Sequence, residues 1–196
     1  MSTVVFTIGH STHPSDRFVE LLRQHGVTAV GDVRSTPYSR FNPHFNTGRM
    51  KVWLPEAGIA YVFLGRELGA RSDDPSCYED GRVQYDRLAT TELFRKGLER
   101  VREGSRNYTL ALMCAEKEPL ECHRTILVAR HVAAMGFDVQ HIHADGTLES
   151  HDAAMTRLVQ MLDLPQGDMF RSRDEILAEA YERHGQRIAY RAVNSA

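Results

Sequence analysis

The sequence predicts an α/β fold: a three-layer, Rossmann-like domain with a mainly parallel sheet, followed by C-terminal helices. Two observations predict it. Short apolar and β-branched runs alternate with amphipathic helical stretches from residue 4 to residue 142, the pattern of strands joined by helical crossovers. After "HADGTLES" the alternation stops and only helical periodicity follows.

The opening "VVFTIG" (4–9) reads as a buried strand, because a short apolar run closed by glycine is too brief for half of an amphipathic helix. From Ser15, the residues Phe18, Val19, Leu21 and Leu22 recur at helical spacing until Gly26 ends the helix. "VTAVGDV" (27–33) resumes as a strand, so the chain starts with a βαβ unit. The loop "RSTPYSRFNPHFN" (34–46) carries two prolines and two asparagines, which forbid regular structure through most of it. A helix near 47–57, the strand "IAYVFL" (59–64), the loop "GRELGARSDDPSCYEDG" (65–81) and an amphipathic helix over 85–102 follow. "YTLALMC" (108–114) is the clearest strand; a helix over about 122–135 and the strand "FDVQHI" (137–142) complete the alternation. Two further helices, 150–163 and 172–187, are separated by "LPQGD". Residues 1–148 are thus read as the α/β domain and 149–196 as a helical appendage.

A chain of 196 residues with 42% hydrophobic content buries one sizeable core. Its 24 basic and 26 acidic residues leave a net charge of -2, so polyanion binding needs a local patch. Three cysteines, Cys77, Cys114 and Cys122, make an odd number, and the start "MSTVVFTIGH" lacks the pattern of a signal peptide, which predicts a cytoplasmic protein. No stretch approaches the ~20 apolar residues of a membrane span.

Ligands of open parallel sheets sit beyond the carboxyl ends of the strands, where loops converge and helix N-termini point inward. Polar residues concentrate there: His10, Ser11 and Thr12 after the first strand; Asp32, Arg34, Tyr38, Ser39 and Arg40 after the second; Arg66 and Glu67 after the third. "CAEKEPLECHR" (114–124) follows the fourth. Taken together these predict one shared site. The motifs "TIGHST", "DVRSTPYSRFNPHFN", "YVFLGRELG" and "CAEKEPLECHR", spanning about residues 6–143, resemble a bacterial and archaeal family known as domain of unknown function 488. The resemblance implies an α/β fold that gathers these motifs in one site, and it implies no activity.

The cysteine segment admits three readings. Cys122 near a helix start gains thiolate character from the helix macrodipole; Glu116, Glu118 and Glu121 oppose it, and His123 and Arg124 offset them. Phosphatase- or rhodanese-like loops are excluded, since the sixth residue after Cys114 is Leu120 and after Cys122 is Val128, neither an arginine. A metal centre of zinc or iron would draw on Cys114, Cys122, His123 and either His10 or His143. Cys114 also reads as a small buried hydrophobe, and Cys77 as an incidental loop residue. His10, Glu116, Cys114 and Cys122 are the candidates for proton transfer or nucleophilic chemistry, with Glu116 the preferred base. Arg34, Arg40 and Arg124 are expected to bind an anionic group, with Ser11, Asp32, Ser39, Arg66 and His123 beside the substrate; Asp32 and Arg34 also read as a mutual pair.

The leading functional expectation is an enzyme acting on a small anionic substrate, a nucleotide or nucleobase derivative. A second is a module that binds or modifies nucleic acid through the arginine, aromatic and asparagine loop 34–46, and a third is a zinc- or iron-dependent enzyme. A scaffold whose rim binds a partner protein is the bland alternative. The terminal helices either cover the site or build a homo-oligomer.

Overall fold

The computed structural model describes residues 3–165 and 171–192. Strand β1 (Val4–Gly9) leads through helix α1 (Ser15–Gln24) to β2 (Ala29–Asp32), and α2 (Thr47–Glu56) leads to β3 (Ala60–Phe63). The predicted loop 65–81 holds a short helix, α3 (Gly65–Leu68), and the start of a two-stranded ribbon, β4 (Tyr78–Glu79) and β5 (Arg82–Val83). Its turn is Asp80-Gly81, both at positive φ (48° and 73°), a dipeptide suited to a two-residue hairpin. The helix predicted over 85–102 is two helices, α4 (Tyr85–Ala89) and α5 (Glu92–Gly104). Thr91 divides them, donating its hydroxyl hydrogen to the Leu88 carbonyl and accepting the Phe94 N–H. Then come β6 (Leu110–Cys114), a π-helical segment Arg124–Ala129 that runs into α6 (Arg130–Ala134), and β7 (Asp138–Ile142). An edge strand, β8 (Leu148–Ser150), occupies the end of "HADGTLES", which the sequence presented as loop. Helices α7 (His151–Met161) and α8 (Arg173–Ile188) follow, capped by Ser150 and Ser172. Residues 166–168 of the predicted connection "LPQGD" lie outside the described residues.

The main sheet runs β3-β2-β6-β1-β7-β8, parallel except for β8. The first βαβ unit leaves a gap between β1 and β2 that β6 fills, so β6 and β1 form the centre. Alternate strand residues feed two cores. Phe6, Ile8, Val30, Ala111 and Met113 pack against α1 and α2 on one face. Val5, Ala29, Leu110, Leu112 and Val139 pack on the other with residues of α5, the π-helical segment, α7 and α8. This is the predicted three-layer α/β architecture. Among the described residues no helix is long and apolar enough to cross a membrane.

Candidate functional site

The carboxyl ends of β1, β2 and β6 are locked together beyond the regular ladder. Gly9 pairs with Cys114, and the His10 and Ser11 N–H groups continue to the carbonyls of Cys114 and Ala115 at 2.8 and 2.9 Å. Glycine is required at residue 9: a Cβ there would stand 1.8 Å from the Glu116 carbonyl oxygen. Arg124 holds that loop from beneath, its Nη1 donating to the Glu116 carbonyl at 2.6 Å and its Nη2 to the Lys117 carbonyl at 3.3 Å. The backbone of "CAEKEPLECHR" is thereby pinned over the end of β1.

This folding brings four side chains together. Cys114 Sγ and Cys122 Sγ lie 3.1 and 3.0 Å from the same carboxylate oxygen, Oε2 of Glu116. His123 Nδ1 lies 3.7 and 3.9 Å from the two sulfurs, while its Nε2 donates to the Val33 carbonyl at 3.0 Å. The Cys114 thiol is pushed up by its hydrogen bond to Cys122 and by burial. Burial resists a charge on Cys122 too, but the hydrogen bond from Cys114 and the Arg124 guanidinium hold that thiol well below the ordinary range. Desolvation of the inward-turned carboxylate of Glu116, an otherwise exposed residue, and the neighbouring Cys122 raise that carboxyl; burial lowers His123, but its bond to Cys122 leaves it raised overall.

A second group borders the first. Arg34 grips Asp32 with two prongs, Nε to Oδ1 at 2.9 Å and Nη2 to Oδ2 at 2.6 Å, and gives Nη2 also to the Phe45 carbonyl at 2.7 Å. Tyr61 donates its hydroxyl to Asp32 Oδ2 at 2.9 Å. Arg34 Nη1 donates to His10 Nε2 at 3.1 Å, and His10 Nδ1 donates to the Ser11 carbonyl at 2.8 Å. Burial, then the Arg34 charge, lower the His10 pKa to about 4, which keeps the ring neutral and its Nε2 an acceptor. His10 stacks on Phe45 at 4.3 Å.

Both groups open on a cleft of about 510 Å³. Of the predicted site residues, His10, Ser11, Arg34, Ser39, Cys114, Glu116 and His123 line it. Cys122 sits behind that lining, joined to it through Glu116, and Asp32 lies fully buried behind Arg34. Arg40, Arg66 and Arg124 do not line it. Arg40 is exposed on its loop, Arg66 lines a neighbouring hollow, and Arg124 is fully buried against backbone carbonyls rather than offered to an anion. His143 pairs with Glu149 at 3.0 Å away from the lining residues. Among the described residues the group of His, Cys, Asp or Glu donors that could hold a metal is Cys114, Cys122 and His123, all within 4.8 Å of one another; His10 is not in it. Cys77 is part of the core.

The cleft also holds residues that the sequence did not single out. Arg71 is its exposed guanidinium and lies over the Tyr190 ring at 4.1 Å. Ser35 and Thr36 add hydroxyls, and Tyr61 completes the Asp32 shell. Arg71 sits in the loop after α3, and no local pattern announces which way such a loop folds. In loop 34–46, Asn46 accepts the Ser39 N–H and His44 donates to the His13 carbonyl, so both fold the loop.

No match is found among the curated proteins or among the solved structures. Residues 14–131, which take in the loop after β2, all of "CAEKEPLECHR" and the π-helical segment, match the family model described as domain of unknown function DUF488. The chain that arranges these two thiols, carboxylate and imidazole at one sheet edge therefore belongs to the DUF488 family.

Proposed function

We propose that the chain is an enzyme that takes a small anionic molecule, a nucleotide or nucleobase derivative, into the cleft and transforms it at the Cys114–Glu116–Cys122–His123 centre. The observation that carries this reading is the convergence of two sulfurs on one carboxylate oxygen and one imidazole nitrogen beside an open cleft. A structural role asks for no such meeting of reactive groups at the carboxyl edge of the central strands.

Arg34 is neutralised by Asp32, and Arg71, which forms no ion pair among the described residues, is the cleft guanidinium offered to an anionic group. Ser11, Thr12, Ser35, Thr36 and Ser39 supply hydroxyls, and Tyr38, 67% exposed, offers a ring on which a base stacks. The neighbouring hollow shares Ser35, Thr36 and Arg71 with the cleft, so a two-part molecule fits with its anionic group at Arg71.

The test is a thermal-shift screen of nucleotides and nucleobase derivatives against wild type and Arg71→Ala, followed by turnover assays of each binder. Binding that weakens about tenfold in Arg71→Ala, roughly 1.4 kcal/mol, and turnover lost in Cys122→Ser support the reading. Full turnover in Cys122→Ser removes the sulfur centre from the chemistry.

A second reading rests on Phe41, 90% exposed, which stands beside exposed Arg40 and near Tyr38 on loop 34–46. Exposed rings beside a guanidinium suit unpaired bases. Affinity for single strands that falls steeply with salt and is lost in Phe41→Ser favours this reading, and no binding at low salt ends it.

A further inference from the structure

Cys114, Cys122 and His123 present three inward-facing donor atoms within 4.8 Å of one another, and their residues are only 4%, 2% and 7% exposed. His123 gives its Nε2 hydrogen to the Val33 carbonyl at 3.0 Å, which turns the lone pair of Nδ1 toward the sulfurs. Ring orientation fixed by such a backbone bond is the usual support for a ligating histidine. The Nδ1–Sγ separations are 3.7 and 3.9 Å. Tetrahedral zinc, with bonds of about 2.3 Å to sulfur and about 2.05 Å to nitrogen, places such a pair about 3.6 Å apart.

The surroundings carry the matching charge. Arg124 is fully buried, forms no ion pair among the described residues, and donates its backbone N–H to Cys122 Sγ at 3.4 Å. A buried guanidinium without a carboxylate is costly unless another anion offsets it, and the thiolates of a zinc centre are such anions. Two sulfurs and an imidazole are the donor set of zinc more than of a hard cation.

We propose that Cys114 Sγ, Cys122 Sγ and His123 Nδ1 bind a zinc ion, leaving a fourth position for water or a substrate atom. Cys114, His123 and Glu116 line the cleft, so that position opens on it, and Glu116 stands beside the ion as a polar neighbour rather than as one of the holding groups. The proposal rests on the cleft reading above only for what reaches the open position. Metal uptake is measured without substrate, so its failure leaves the cleft reading standing.

The experiment titrates reduced, chelator-stripped full-length protein with Co²⁺, whose spectrum reports both ligand type and geometry. One equivalent is expected to give a sulfur-to-cobalt charge-transfer band and strong tetrahedral ligand-field absorption, both bleached by equimolar Zn²⁺. Cys77→Ala and Glu116→Gln retain this spectrum, whereas Cys114→Ser and Cys122→Ser lose about 100-fold or more in cobalt affinity. A weak octahedral spectrum, uptake well below one equivalent, or a Cys114–Cys122 disulfide that forms as fast with Zn²⁺ as without it overturns the proposal. Because all three outcomes are read on the wild-type protein, a cysteine variant that fails to fold does not rescue the proposal.

Discussion

Two groups of polar side chains share the carboxyl edge of the sheet, on opposite faces of it, and they are built on opposite plans. In the Asp32–Arg34–His10–Tyr61 group, donors meet acceptors: Asp32 takes two prongs of Arg34 and the Tyr61 hydroxyl, and His10 is bonded at both ring nitrogens. In the Cys114–Glu116–Cys122–His123 group two sulfurs meet at one carboxylate oxygen with an imidazole nitrogen 3.7 and 3.9 Å from them, and among the described residues no cation pairs with that carboxylate, the nearby Arg124 guanidinium being held by backbone carbonyls. A closed group of the first kind holds a loop in place. A group of the second kind has atoms left to meet a proton, a substrate or an ion, and the chemistry proposed above is placed there for that reason.

The largest expected effect falls on the closed group. Asp32→Asn keeps the shape but leaves the Arg34 guanidinium buried without its counter-charge, and a broken buried pair costs about 3–5 kcal/mol. Urea unfolding at pH 7.5 measures it, and a loss below about 1 kcal/mol would show that Arg34 is not held as a strut. The 3₁₀ turn Pro43–Phe45 and His10 should loosen in the same variant, since Arg34 ties both.

A second closed array sharpens the comparison through its pH dependence. Thr7, His141, His151 and Tyr181 form a chain of contacts at 2.7, 3.1 and 2.8 Å from β1 through β7 and α7 to α8, with Asp152 next to His151 and Arg130 over the Tyr181 ring. Burial lowers His151 from 6.5 to about 4. Above the unfolded value near 6.5 both states are neutral and the group costs nothing. Below it the unfolded chain takes up the proton first, so stability falls until folded His151 protonates near 4. Between pH 7.5 and 5 the His151 share of that loss is about 2 kcal/mol. His151→Gln should flatten the curve by this amount; an unchanged slope would mean that His151 is charged in the fold.

Tyr61→Phe tests the closed group more gently. It removes one hydrogen bond to a charged acceptor that keeps its Arg34 prongs, and the expected cost is about 1.5 kcal/mol. Equal stability to wild type would show that Tyr61 packs without bonding.

These arrays also mark how far the sequence could be read. Strands β1, β2 and β6 were legible because parallel strands buried on both faces are largely continuous apolar runs; the half-buried edge strand β3 and the alternately buried β7 were legible from their β-branched and aromatic residues and their place in the strand-helix alternation. Strand β8 was not, since "LES" at a sheet edge carries little apolar signal; the β4–β5 ribbon reads as loop, and the signal that could have found it is the Asp80-Gly81 dipeptide of its turn. Within the site, Cys114, Glu116, Cys122 and His123 were legible as a set because they lie within ten residues on one strand-to-helix connection. Of the arginines, only the pairing of Arg34 with Asp32, two residues apart at a strand end, was among the readings of the sequence. Whether the others face an anion or a carbonyl depends on burial that local spacing does not report: Arg124 turned to backbone oxygens, and Arg71 came in from a loop of no evident pattern.

The smallest expected change in stability comes from the open group, and it makes the contrast decisive. Glu116→Gln removes a carboxylate as Asp32→Asn does, but Glu116 is an exposed residue that turns one carboxylate oxygen in to the sulfurs, whereas Asp32 is fully buried. At residue 116 no guanidinium or lysine pairs with the carboxylate among the described residues, and its neighbours are two thiols that an amide oxygen also accepts. Partial desolvation and the adjacent sulfur raise its carboxyl, and on an exposed residue neutralising it changes stability little. Unfolding free energy should therefore stay within about 0.5 kcal/mol of wild type, while the same variant is the one to compare in the turnover assays. A loss as large as that of Asp32→Asn would show Glu116 to be a strut as well, and the two groups would no longer differ in kind.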